Sequence, residues 1–223
     1  MDQPTLGLYG KVPAHGDFID RQLPVEFIRQ WDDWLQRSMA GSQERLADNW
    51  LSHYLTSPIW RFVLTPGALD HQSWAGILVP SVDSVGRYFP LTIASPIAAQ
   101  TAPSVFYQHN IEWFQALEHI ALDALQNGIN AEQISDKLLL TPTINNPKNN
   151  TANSTTLVQS DDLESALAAQ LDKQLAQLFE SSSLWSSVYI EPPLQQLLIN
   201  QGMPSSNQFT TMIDSQWQHI EQH

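Results

Sequence analysis

The sequence predicts an α/β fold of the α+β type: a mainly antiparallel sheet of about five to six strands with helices packed on both faces. Three observations predict it. Short apolar runs stopped by Pro and Gly read as strands, and they cluster together instead of alternating one by one with helices. Between the clusters lie longer segments with apolar residues at helical spacing. The 223 residues are 42% hydrophobic and include eight Trp and eight Phe, enough to fill the core of one large domain.

Taken in order, "LGLYGKV" reads as a strand stopped by Pro13 and the turn residues Gly16 and Asp17. In a purely structural reading Gly16 supplies a permissive φ, and Asp17 caps a turn or pairs with a cation. After Pro24, the residues Phe27, Trp31, Trp34 and Leu35 recur at helical spacing and place two indoles on a buried face. Ser42 ahead of Leu46, Trp50 and Leu51 predicts the start of a second helix, ended by "TSP" because the residue before proline avoids the α region. The segment "IWRFVLTPG", with Trp60 and Arg61, reads as a strand. Trp74 to Val79 and "FPLTIASPI" read as two more, joined by the turn-rich "PSVDSVGRYF".

Val105 to Leu125 predicts one helix with a wide apolar face, and Gly128 stops it. Ala131 to Leu140 reads as a short further helix. Residues 141–160, rich in Asn and lacking periodicity, read as an exposed excursion with a short strand at Thr156 to Gln159. Leu163, Leu167, Leu171, Leu175 and Leu178 predict a long amphipathic helix capped by Ser160 and Asp161. "SLWSSVYIE" and "QQLLINQ" then form a strand pair around Pro192 and Pro193, and Ser205 to Gln222 closes as a helix.

Ten Lys plus Arg against 23 Asp plus Glu give a net charge of −13, which repels phosphate backbones and anionic lipid surfaces. Neither nucleic acid nor membrane is expected as a partner. No Cys is present, so disulfides and thiolate metal sites are excluded. The N-terminus has no basic and then apolar segment, and no apolar run approaches about 20 residues, so a cytoplasmic location is expected.

Few motifs carry chemistry. Gly7, Gly10 and Lys11 have the wrong spacing for a phosphate-binding loop, and neither GxGxxG nor GxSxG occurs. No cofactor is expected. His119 and Asp123 share a helix face but lack further ligands for a metal. His15 with Asp17 has the composition of a base and its orienting carboxylate, yet no nucleophile stands beside them. Asp83 and Arg87 are spaced to fold together, and a buried Arg61 needs a carboxylate, so a polar network of Asp17, Arg61, Asp83 and Arg87 is expected to tie two loops together. The same loops also suit docking, and both readings stand.

Those residues carry a resemblance. "YGKVPAHGDFIDRQLP", "WDDWLQ", "TSPIWRF" and "PSVDSVGRYFP" fall in the order and spacing of the TagF family, also called ImpM, associated with bacterial type VI secretion, and the likeness runs over nearly the whole chain. The resemblance implies a single domain over residues 1–223 and no enzymatic activity. It implies a cytoplasmic protein that represses the secretion system after translation by binding its forkhead-associated scaffold protein. Some family members are fused to a protein phosphatase; here any phosphatase partner is a separate chain. The candidate partner-binding or loop-organising residues are Lys11, His15, Asp17, Asp83 and Arg87, with Trp31, Trp34, Trp60 and Arg61 structural. A structural adaptor of the apparatus, or a hydrolase using His15 and Asp17, are the alternatives. By analogy alone, a longin-like or profilin-like arrangement suits the element order.

Overall fold

All residues of Trp60–Leu64 and of Ser73–Val79 are buried, the mark of strands covered on both faces. A computed structural model describes residues 5–99, 101–146, 163–189 and 194–214. Within them one open antiparallel sheet holds β1 (Gly7–Gly10), β2 (Ile19–Arg21), β3 (Trp60–Leu64), β4 (Ser73–Val79), β5 (Leu91–Ile97), β6 (Ser182–Tyr189) and β7 (Leu194–Gln201). Their spatial order is β2-β1-β5-β4-β3-β6-β7. The helices are α1 (Val25–Leu46), α2 (Trp50–Thr56), α3 (Pro103–His109), α4 (Ile111–Gln126), α5 (Ala131–Leu138), α6 (Leu163–Leu178) and α7 (Ser206–Asp214).

Alternation along β3 feeds two cores. Trp60, Phe62 and Leu64 join one cluster with Phe27, Trp31, Trp34, Trp50 and Phe209 from α1, α2 and α7, whereas Val63 faces Phe106, Trp113, Phe114 and Leu117 of α3 and α4. Trp31 lies 4.9 Å from both Trp34 and Phe62, centroid to centroid, and its indole N–H donates to Thr92 Oγ1 at 2.8 Å. The Trp34 indole donates to the Pro204 carbonyl at 2.8 Å and the Trp60 indole to the Met212 carbonyl at 3.2 Å. Each of these three tryptophans fills the core and ties it to a distant segment.

Several expectations need correction. The sheet has seven strands because β2 forms from three residues, too short for a periodic signal, with Ile19 alone fully buried. Ser42 starts no helix: α1 runs through it, its hydroxyl donates to the Met39 carbonyl at 2.8 Å and accepts the Trp50 indole at 2.8 Å. The break falls instead at Ala47, with φ of 45°. The helix expected over Val105 to Leu125 divides at Asn110, whose side chain bonds the Phe106 carbonyl and both backbone groups of Asn145, each at 2.8 Å. Such side-chain bonding competes with the helical ladder. Gly128 does sit past the end of α4, with φ of 61°.

The α6 leucines do not form one buried stripe. Leu167 and Leu178 are 62% and 70% exposed and Leu171 lies near the surface, while Leu175 is buried. At 3.6 residues per turn, each step of four advances a side chain about 40° around the helix, so the series leaves any single face. The short strand at Thr156 to Gln159, most of the Asn-rich excursion, the caps Ser160 and Asp161, Pro192, Pro193 and residues 215–222 of the last helix lie outside the described residues.

Candidate functional site

Strand β5 is flanked by β1 and β4, so the connection leaving β1 and the connection entering β5 emerge side by side at one end of the sheet. Gly10 makes the close approach possible. Its φ is 133°, and an added Cβ would lie 2.1 Å from the Pro90 carbonyl oxygen. The two connections are residues 11–18 and residues 80–90, and they contain the glycine, proline and charged residues singled out in the sequence.

The loops are zipped at several levels. The Ser81 hydroxyl donates to the Lys11 carbonyl at 2.6 Å, and the Ser84 N–H donates to the His15 carbonyl at 2.9 Å. The Tyr54 hydroxyl both donates to the Ser81 carbonyl and accepts the Ser81 N–H, at 2.9 Å each, which fixes the second loop to α2. Beneath the tips, Asp83 gathers four donors: Lys11 Nζ at 2.8 Å, Arg87 Nε at 2.7 Å, and the N–H groups of Val85 and Arg87 at 3.0 and 2.9 Å. Burial on its own would raise the Asp83 carboxyl, but these hydrogen bonds outweigh it and hold the group well below the usual carboxylate range.

Each expected site residue can now be placed. Lys11 is buried and its ammonium lies 4.9 Å from the Phe18 ring centroid, so it organises the loops from within. Arg87 reaches from the surface, bonding the Gly16 carbonyl as well as Asp83. Asp17 is exposed, accepts the Phe18 N–H at 2.8 Å, and stands 4.0 Å from Arg87, a weak surface pair. Gly16 has no positive φ; it serves through its carbonyl, and within residues 11–18 and 80–90 the positive φ belongs to Gly86 at 87°. His15 turns away from Asp17: its Nε2 accepts the Ala131 N–H at 3.0 Å, at the first turn of α5.

Arg61 does not join this network. Its guanidinium lies on the other face of the sheet, bonded twice to Glu118 of α4 at 2.6 and 2.8 Å, with Tyr107 and Phe114 beside it. Lys11 takes the place assigned to Arg61 around Asp83. The sequence signal for Glu118 was its position beside Phe114, Leu117 and Ala121 on the buried side of the helix.

Above the network the tips are open. Phe18 is 43% and Val85 66% exposed, flanked by Ala14, Gly16, Asp17, Ser84 and Arg87. Phe18 is held by Phe89 at 4.8 Å and Tyr9 at 5.7 Å, ring to ring. Sequence reading passed over both residues, since a lone Phe and a lone Val between turn formers carry no periodicity. What marks them is exposure on a fixed scaffold. Among the described residues no three acidic or His side chains converge as metal ligands, and no helix is long and apolar enough to cross a membrane.

The paired loops and the five strands β2, β1, β5, β4 and β3 lie within residues 7–140, which match a domain family associated with the type VI secretion system. That family is the TagF N-terminal domain, and the chain belongs to it. The crystal structure of PA0076 from Pseudomonas aeruginosa PAO1 is similar throughout, at 31% sequence identity and a TM-score of 0.80 over 98% of each chain. No curated protein matches the chain.

Proposed function

We propose that this protein is a non-enzymatic, cytoplasmic regulator that restrains type VI secretion after translation by binding a forkhead-associated scaffold protein through the paired loops. The observation that carries the docking surface is the cluster of buried Lys11 and Asp83 with the surface residue Arg87, which fixes both loops while Phe18 and Val85 stand exposed. A fixed surface loses little conformational entropy on binding. The charge of −13 complements a basic, phosphopeptide-reading partner face. A hydrolase reading gains no support from the bonding of these side chains: His15 Nε2 accepts the Ala131 N–H and Asp17 accepts the Phe18 N–H.

The test is titration of the purified scaffold against wild type, Val85→Lys and Val25→Lys. Val25 is 82% exposed on α1 and serves as the control. Val85→Lys puts a like charge against the basic partner face and is expected to weaken binding by about tenfold or more with its circular dichroism unchanged, and Val25→Lys to leave it intact. Equal affinity for all three proteins would remove the loops as the docking surface. Copurification with assembled apparatus at fixed stoichiometry would favour a structural adaptor instead.

A further inference from the structure

The α6 helix carries a second surface, unconnected with the loops. Its inner side docks on α3, where the buried Asp172 carboxylate accepts the Ser104 N–H at 2.8 and 3.0 Å and the Val105 N–H at 3.0 Å, and Leu175 is buried close by. One residue round the helix, Leu167, Leu171, Gln174 and Leu178 face solvent, with the leucines 62%, 37% and 70% exposed. Their spacing of four, three and four is the seam of a helix that pairs with another helix, and it keeps these side chains within about 60° of one another around the axis.

We infer that this seam is the contact between two copies of the chain, with α6 lying antiparallel against its counterpart. Two features select a second copy over another partner. The seam is self-complementary: with the two-fold axis midway between Leu171 and Gln174, Leu167 meets Leu178 of the other copy and Leu171 meets its Gln174. It is also nearly free of charge. Between Leu167 and Leu178 the ionisable residues are Asp172, turned inward, and Lys173, so two chains of −13 would meet there with little local charge repulsion. A pair of helices about 24 Å long buries on the order of 1,000 Å² in all, near the lower limit of a specific interface, so the dimer is weak and concentration-dependent.

Sedimentation equilibrium of the whole chain tests this. The mass is expected to rise with concentration from 25.1 kDa toward twice that value, and Leu167→Glu with Leu178→Glu, both surface changes, to weaken association by about tenfold or more. A monomer at every concentration up to solubility, or a dimer indifferent to the double substitution, overturns the proposal. The absence of native Cys gives a clean test of orientation. Leu167→Cys with Leu178→Cys in one chain should oxidise to a covalent dimer, whereas either single substitution should not. Cross-linking by Leu167→Cys alone would mean parallel pairing and would defeat the antiparallel seam.

Discussion

Replacing Glu118 with Leu strands a guanidinium inside the protein. Arg61 is 8% exposed in its side chain and Glu118 23%, and the two bonds between them, at 2.6 and 2.8 Å, have the bidentate geometry that best offsets desolvation. Beside Arg61 there also stand the Tyr107 hydroxyl at 3.4 Å and the rings of Tyr107 and Phe114, none of which can replace a carboxylate. Breaking one side of a buried pair costs roughly 3–5 kcal/mol, and the partial exposure of Glu118 places this one near about 3 kcal/mol. For a chain of this size that is a fall in Tm of roughly 6–12 °C. The double change Arg61→Met with Glu118→Leu removes both charges and is expected within about 1 kcal/mol of wild type. Urea unfolding followed by circular dichroism gives all four corners of the cycle. Additive losses, or a Glu118→Leu cost below about 0.5 kcal/mol, would show that the ion pair does not hold α4 to the sheet.

Two further outcomes follow from the loops. Because the Asp83 carboxyl titrates lower in the folded than in the unfolded chain, its contribution is complete above its ordinary pKa of 3.8 and is lost as the pH falls through the native value. The stability gap between wild type and Asp83→Asn is thus expected to hold from neutral pH down to 3.8 and to shrink below it; a gap unchanged down to about pH 2 would contradict the linkage. Glycine substitutions should separate crowding from strain. Gly10→Ala drives a Cβ to 2.1 Å from the Pro90 oxygen and should cost at least roughly 3 kcal/mol, whereas Gly86→Ala, at φ of 87° in open space, should cost about 1 kcal/mol. Similar midpoints in denaturant for the two variants would refute that distinction.

The strands and most helices were legible because their apolar residues keep the period of one element. Trp31, Trp34 and Phe27 repeat as a helix face, and "WRFVL" and "WAGILV" are bounded by turn formers. What sequence reading lost was set by contacts at long range. The break at Asn110 depends on Asn145, the strand β2 on pairing with β1, and the partner of Arg61 on α4 packing across the sheet. Asp83 and Arg87 were found because they are four residues apart in one turn; Lys11 joins them from 72 residues away, through the neighbouring strands.

The order of the sheet makes the matched region 7–140 a unit of descent more than a unit of folding. It contributes β2, β1, β5, β4 and β3, and so ends laterally on β3, whose other edge is paired along all five residues with β6. The later part of the chain also supplies Trp185, 5.5 Å from Trp34, and the Pro204 carbonyl that receives the Trp34 indole. A fragment cut at residue 140 would present a strand buried along its whole length in the intact chain, now with a bare hydrogen-bonding edge, beside an uncovered tryptophan cluster, the features of a sticky, self-templating surface. The last third of this chain is the lateral seal of the sheet that the first two thirds begin.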